Sequence, residues 1–274
     1  PFVWGTMARE GVVFGNAGKG GEVRVGNAFR VSYPGYHEIL SGFPSPDIKD
    51  NAPVLNPDPT VLEWLNGRPA FRGRVEAWCS WERFPHILNR ERAGFPIFAG
   101  EAADPPGSFD RLMADVPPEW HGAVLDAFVF HKALAGIRAR KPRVMYLAFG
   151  DTDEWAHAGR YDRYLESIHR SDAWLESLWG ALQALPEYRG RTSLLVTTDH
   201  GRGVGADWRH HNAKHEEAGR IWVAALGPRV VAQGEAESHA PLIQAQMAAT
   251  LAALLGEDYR AAVPQAAPPF PLIR

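Results

Sequence analysis

Cysteine is nearly absent from this chain of 274 residues: Cys79 stands alone. No intramolecular disulfide can form, and zinc sites built from several thiolates are excluded. An excess of one charge is missing too. Lys and Arg total 29 against 32 Asp and Glu, a formal net charge of -3, so no broad basic field points to nucleic acid. No apolar run reaches the ~18–20 residues that span a bilayer. No basic-then-apolar leader opens the chain, which starts on Pro1 rather than Met. We read it as a fragment or a processed form. A signal removed ahead of Pro1 would make the protein periplasmic or secreted, but the residues themselves assign no compartment. What is present, 45% hydrophobic and 22% charged residues, suits a single α/β domain over 1–274.

The most informative stretch is Leu194-Leu195-Val196-Thr197-Thr198-Asp199-His200-Gly201. An apolar, β-prone run stops at two potential metal ligands and a glycine, as a buried parallel strand does when it delivers side chains to a site. A second such run, Val144 to Phe149, ends at Gly150-Asp151-Thr152-Asp153. Strands are also expected at Val12–Phe14, Glu22–Phe29, Arg72–Trp78, Phe95–Ala99 and Ile221–Leu226. Helices are expected over residues 1–11, from Pro34 to a stop at Gly42, from Thr60 as a cap, and over Phe84–Ala93. Further helices fit Val124–Arg140, a long amphipathic stretch after Tyr161, and Pro241–Leu255. This alternation predicts a doubly wound, mostly parallel sheet with helices on both faces, and ligands bind beyond the carboxyl ends of such strands. Region 43–120 is loop-rich and reads as a small insertion on the substrate side.

Asp153 and His157, four apart at the entry to the long helix, share one helical face. They suit zinc, manganese or iron, or else an N-terminal acidic cap beside a surface histidine. Asp199-His200 taken alone reads first as ordinary turn chemistry and second as a ligand pair, and a second Asp/His pair after a neighbouring strand favours the ligand reading. One of His210, His211 and His215 could complete a set with Asp153 and His157. Asp151 reads as an acceptor that orients a ligand, or as a ligand itself. His37, His86, His121, His131, His169 and His239 read as surface or capping residues, and Cys79 as buried packing. Trp78, Trp81, Trp155 and Trp208 read as core or as the lining of an aryl or base pocket. Ser32, just ahead of a helix N-terminus, is either a plain cap or a nucleophile that needs activation.

Ser32-Tyr33-Pro34-Gly35-Tyr36-His37-Glu38-Ile39-Leu40-Ser41-Gly42 resembles the nucleophile segment of the alkaline phosphatase superfamily, most closely its nucleotide pyrophosphatase/phosphodiesterase branch. Asp153 and His157 resemble that superfamily's first metal pair, Thr198-Asp199-His200-Gly201 its second, and a late histidine before a strand closed by Gly227-Pro228 its last ligand. The resemblance spans residues 32 to about 228, in the expected order. It implies two divalent ions, zinc by preference: Asp153, His157 and His211 (His215 as alternative) on one, Asp199, His200 and Ser32 on the other. It also implies Asn51 as an oxyanion-stabilising residue and a small phosphoric ester as substrate, hydrolysed through a phosphoserine at Ser32. The family's first strand and its Asp ligand precede everything seen here. Asp47 and Asp50 follow the nucleophile and cannot be that residue, so the chain reads as N-terminally incomplete. Cys-x-Pro-x-Arg, the mark of type I sulfatases, is absent, and 50–140 is too short and loop-rich for a mutase cap. The alternatives are a degenerate binding domain and a phosphosugar mutase.

Overall fold

A computed structural model describes residues 1–101, 107–237 and 240–273; His239 lies outside them. The strands are β1 (Val12–Phe14), β2 (Val23–Arg24), β3 (Val75–Cys79), β4 (Ile97–Phe98), β5 (Val144–Ala148), β6 (Leu194–Thr197), β7 (Arg220–Ile221), β8 (Val223–Leu226), β9 (Gly234–Glu235) and β10 (Leu242–Ile243). The helices are α1 (Ala8–Glu10), which continues a π-turn over Val3–Met7, α2 (Ser32–Ser41), α3 (Val61–Gly67), α4 (Phe84–Ile87), α5 (Arg90–Ala93), α6 (Ser108–Asp115), α7 (Asp126–Arg140), α8 (Asp151–His157), α9 (Tyr161–Ala184) and α10 (Gln246–Leu254). The chain forms two compact units, 1–52 with 169–274, and 53–168.

The first unit holds two small mixed sheets. One has the order β6-β8-β1-β9, with β8 antiparallel to both β6 and β1; the other has the order β10-β2-β7. Phe2, Met7, Val13, Ala224 and Leu226 form a buried cluster, with Leu175, Trp179 and Val196 packed on it. The expected strand Ile221–Leu226 divides between the two sheets. Ile221 pairs with Val23, whereas Val223–Leu226 pair with β1 and β6. The strand expected over Glu22–Phe29 shrinks to two residues. The N–H groups of Gly26 and Asn27 turn to the Glu38 carboxylate instead of to a neighbouring strand.

The second unit holds a three-stranded sheet, β4-β3-β5, parallel throughout. Trp78 on β3 is buried and stacks on Phe98 of β4 with ring centroids 3.8 Å apart, and Val129 and Ala133 of α7 pack on the same cluster. Cys79 is buried, and burial pushes its thiol pKa well up. Thr60 caps α3 by accepting from Glu63 N at 3.2 Å, as the sequence predicts. The helix expected over Phe84–Ala93 breaks in two at Asn89, which is left-handed (φ 47) and starts α5 by accepting from Arg92 N.

α2 is enclosed along most of its length: Tyr33, Pro34, Gly35, His37, Glu38, Ile39, Leu40 and Ser41 are all buried. His37 is fully buried, not a surface residue as expected; its ring meets Phe43 edge-on at 5.4 Å. The helix ends at Gly42 in the left-handed region (φ 84).

Candidate metal centre

The first unit carries Ser32, Asn51, Asp199, His200, His211 and His215 of the predicted set; the second carries Asp153 and His157.

Ser32 opens α2. Val31 is its N-cap, so Ser32 sits inside the first turn rather than ahead of it. Its Oγ lies 3.3 Å from His200 Nε2. The approach is set by Gly35. A Cβ there would fall 2.3 Å from the carbonyl oxygen of Asp199, so only glycine lets α2 lie this close to the end of β6. Gln244, fully buried, holds the Asp199 turn from another direction. Its Nε2 donates to the carbonyls of Thr198 and Asp199, both at 2.8 Å.

His200 is buried, and its Nδ1 lies 2.9 Å from the Gly201 carbonyl. That bond fixes Nδ1 as the donor and puts the lone pair on Nε2. His211 Nδ1 likewise meets the Arg30 carbonyl at 3.0 Å. The two imidazoles stack with centroids 3.8 Å apart and planes 15° from parallel. His215 is turned elsewhere: its Nδ1 is 3.9 Å from Asp207 and its ring lies beside His210.

Asp199 Oδ2 lies 3.4 Å from His200 Nε2, the same nitrogen that faces Ser32. A hydrolytic Ser-His-Asp triad would place the carboxylate on Nδ1, where a main-chain carbonyl sits instead. Hydroxyl, imidazole lone pair and carboxylate thus converge on one point. Two electron-rich atoms facing each other at this distance suit a cation between them, so the donor set fits a divalent metal. Asn51 Oδ1 accepts from Tyr33 N at 2.9 Å, capping a first-turn N–H of α2.

In the second unit, Asp153 and His157 occupy one face of α8, with Oδ2 and Nε2 3.1 Å apart. α8 is a helix of its own rather than the start of the long one, because Gly159 (φ 72) ends it before α9. Its N-terminus is tied to that of α7. Asp126 accepts from the N–H groups of Gly150 and Asp151, both at 2.8 Å, and Asp151 accepts from Asp126 N at 3.1 Å. Each aspartate thus caps the other's helix, and this is where Asp151 directs its carboxylate. Burial first, and the Asp151 charge second, push Asp126 up to about 8.

The sign of the consequence is fixed. A carboxyl group raised in the folded state contributes stability that is complete below the unfolded pKa, near 4, and is lost as pH rises through 8. In metal-free protein, the urea unfolding free energy is expected to fall by on the order of a few kcal/mol between pH 5 and pH 8. Asp126→Asn is expected to be less stable throughout but to show a flatter profile, and an unchanged slope in that variant would refute the assignment.

Asn27, Arg30, Glu38, Gln244 and Asp126 were not singled out by sequence. Arg30, Glu38, Gln244 and Asp126 act through hydrogen bonds to distant main chain, and Asn27 through a local turn anchored on the Glu38 carboxylate.

No protein-family model matches the sequence, and a search of curated proteins returns no match. Solved structures do match. A phosphonate monoester hydrolase of Agrobacterium radiobacter superposes with a TM-score of 0.59 at 12% identity, over 91% of this chain and 68% of that one. A 2-O GAG sulfatase gives a TM-score of 0.58 at 14% identity, over 92% and 64%. A Vibrio parahaemolyticus protein in the alkaline phosphatase superfamily gives 0.53 at 14%, over 92% and 59%. The chain has the alkaline phosphatase superfamily fold. The chain spans roughly two thirds of the length of the structures it matches. Among the described residues no helix is long and apolar enough to cross a membrane.

Proposed function

We propose that the protein is a metal-dependent hydrolase of small phosphoric esters, with Ser32 as the nucleophile. The observation that carries this reading is the convergence of Ser32 Oγ and Asp199 Oδ2 on His200 Nε2, at 3.3 and 3.4 Å from it. Asp199, His200 and Ser32 would hold one divalent ion, zinc being the ion that mixed carboxylate and imidazole donors favour; Asp153 with His157, and separately His211, would be further metal ligands, as the resemblance implies. When bound, such ions supply Lewis acidity toward the Ser32 hydroxyl and the ester oxygens.

The rest is done by this chain. Ser32 loses its proton and attacks phosphorus in line, the ester oxygen leaves with the alcohol, and water then releases phosphate from the phosphoserine. The positive end of the α2 dipole favours the anion where it develops, and the Asn51 amide would help to stabilise it, as the resemblance implies. The His200 and His211 tautomers are set in advance by main-chain carbonyls, so neither ring has to reorganise. The structural neighbours support a hydrolase and span sulfate and phosphonate esters in their names. For this chain, a phosphoric ester is favoured by Ser32-Tyr33-Pro34-Gly35-Tyr36, which lacks both the cysteine and the arginine of the sulfatase signature.

The test is turnover of p-nitrophenyl phosphate, its phosphodiester analogue and p-nitrophenyl sulfate by the purified protein. Phosphoric esters are expected to be hydrolysed and the sulfate poorly. Chelator treatment is expected to lower the rate at least a hundredfold, with recovery on adding zinc. Indifference to chelator would exclude the metal mechanism, and no turnover of any ester would favour a binding domain.

A further inference from the structure

The short segment between β2 and α2 contains a non-glycine residue in the left-handed region: Arg30, with φ 54. This conformation is uncommon for a long side chain. Three observations explain why it is held here. The Asn27 side chain forms an Asx-type turn, its Oδ1 accepting from Phe29 N at 3.0 Å and from Arg30 N at 2.9 Å. Asn27 is buried and is itself anchored, its own N and Nδ2 donating to Glu38 Oε2 at 2.9 and 3.0 Å. The Arg30 guanidinium spans to the opposite loop, where Nη1 donates to the His215 carbonyl at 3.0 Å. The outcome is that the Arg30 carbonyl faces His211 Nδ1 at 3.0 Å.

We propose that Asn27 and Arg30 are positioning residues for His211: the turn they form aims the Arg30 carbonyl at His211 Nδ1 and so fixes the tautomer that presents Nε2 as a metal ligand. This rests on the reading of His211 as a ligand given above, and it adds the device that prepares it. A metal-bound imidazole needs its non-ligating nitrogen to donate, and the partner that receives that proton sets ring orientation and basicity. Usually the partner is a carboxylate or a carbonyl in regular structure. Here it is a carbonyl made available only by a backbone conformation that glycine adopts freely and arginine does not. The same buried Glu38 that anchors Asn27 lies on α2 with Ser32, so nucleophile and ligand take their positions from one point.

The experiment reads the tautomer directly. Nitrogen-15 shifts of the His211 ring are measured in metal-free full-chain protein, with His211→Gln identifying the resonance. The wild-type ring is expected to carry its proton on Nδ1. Arg30→Gly keeps the left-handed turn and the carbonyl and is expected to keep the tautomer, with zinc affinity, measured with zinc alone, within about threefold. Asn27→Ala removes the turn, and Arg30→Pro holds φ near -65°. Both are expected to give a mixed tautomer and to weaken zinc binding about 10–100-fold. A wild-type ring protonated on Nε2, or an Asn27→Ala protein with folded dispersion and an unchanged tautomer, would overturn the proposal. If Asn27→Ala does not fold, the contrast between Arg30→Gly and Arg30→Pro decides. The readout needs no substrate, so a correct tautomer in an inactive protein would leave this inference standing while the hydrolase reading fails.

Discussion

Ser32→Ala is expected to lower kcat/KM for phosphoric esters at least a thousandfold, about 4 kcal/mol of transition-state stabilisation. The change removes the attacking atom and little else. Val31 is the N-cap of α2, and no side-chain cap bond is made there, so alanine at the next position costs the helix nothing it uses. Thermal unfolding is expected within about 0.5 kcal/mol of wild type, as for other substitutions that remove no cap and leave no cavity. Loss of rate without loss of fold is the signature of a nucleophile. A variant that keeps a tenth of the wild-type rate would show that water attacks directly and that Ser32 is only a donor near His200.

Glu38→Ala is expected to cost about 3–5 kcal/mol in urea unfolding, the range for stripping one partner from a buried charged network. The Glu38 carboxylate is fully buried and has the N–H groups of Gly26, Asn27 and Ala245 and the Asn27 amide around it, at 2.7–3.1 Å. Burial raises its pKa, and these donors pull the other way. Alanine leaves all of them buried and unanswered. Glu38→Gln is expected to cost less, about 2–3 kcal/mol, because one oxygen still accepts while the amide nitrogen faces donors. A midpoint shift worth under 1 kcal/mol for Glu38→Ala would mean that water replaces the carboxylate, and the account of α2 as anchored from Glu38 would fall.

The α/β class, the strand ends at Thr197 and Ala148, and the residues gathered around Ser32 were legible because each carries a local signal. An apolar run stops at a ligand pair, or a proline-containing turn opens a helix. The framework around them was not legible. Glu38 looks like an ordinary exposed helix position, yet it answers N–H groups 12, 11 and 207 residues away. Gln244 is one polar residue among many in sequence, and its role depends on carbonyls 45 and 46 residues upstream. The division of Ile221–Leu226 between two sheets is invisible to hydrophobic pattern, since both halves are equally apolar. The left-handed Arg30 breaks the rule that such positions go to glycine or asparagine, and Asn27, three residues earlier, supplies the compensation.

The bond from Ala245 N to Glu38 also has a timetable. At about 5–20 residues per second, the ribosome delivers residue 245 roughly 10–40 s after residue 38. Through that interval the nascent chain holds a carboxylate bound for burial while one of its donors has yet to be made, and the whole second unit is synthesised in between. The candidate nucleophile is therefore made well before the last donor that frames it. A chain interrupted before residue 245 would carry Ser32 without the completed support that sets its position.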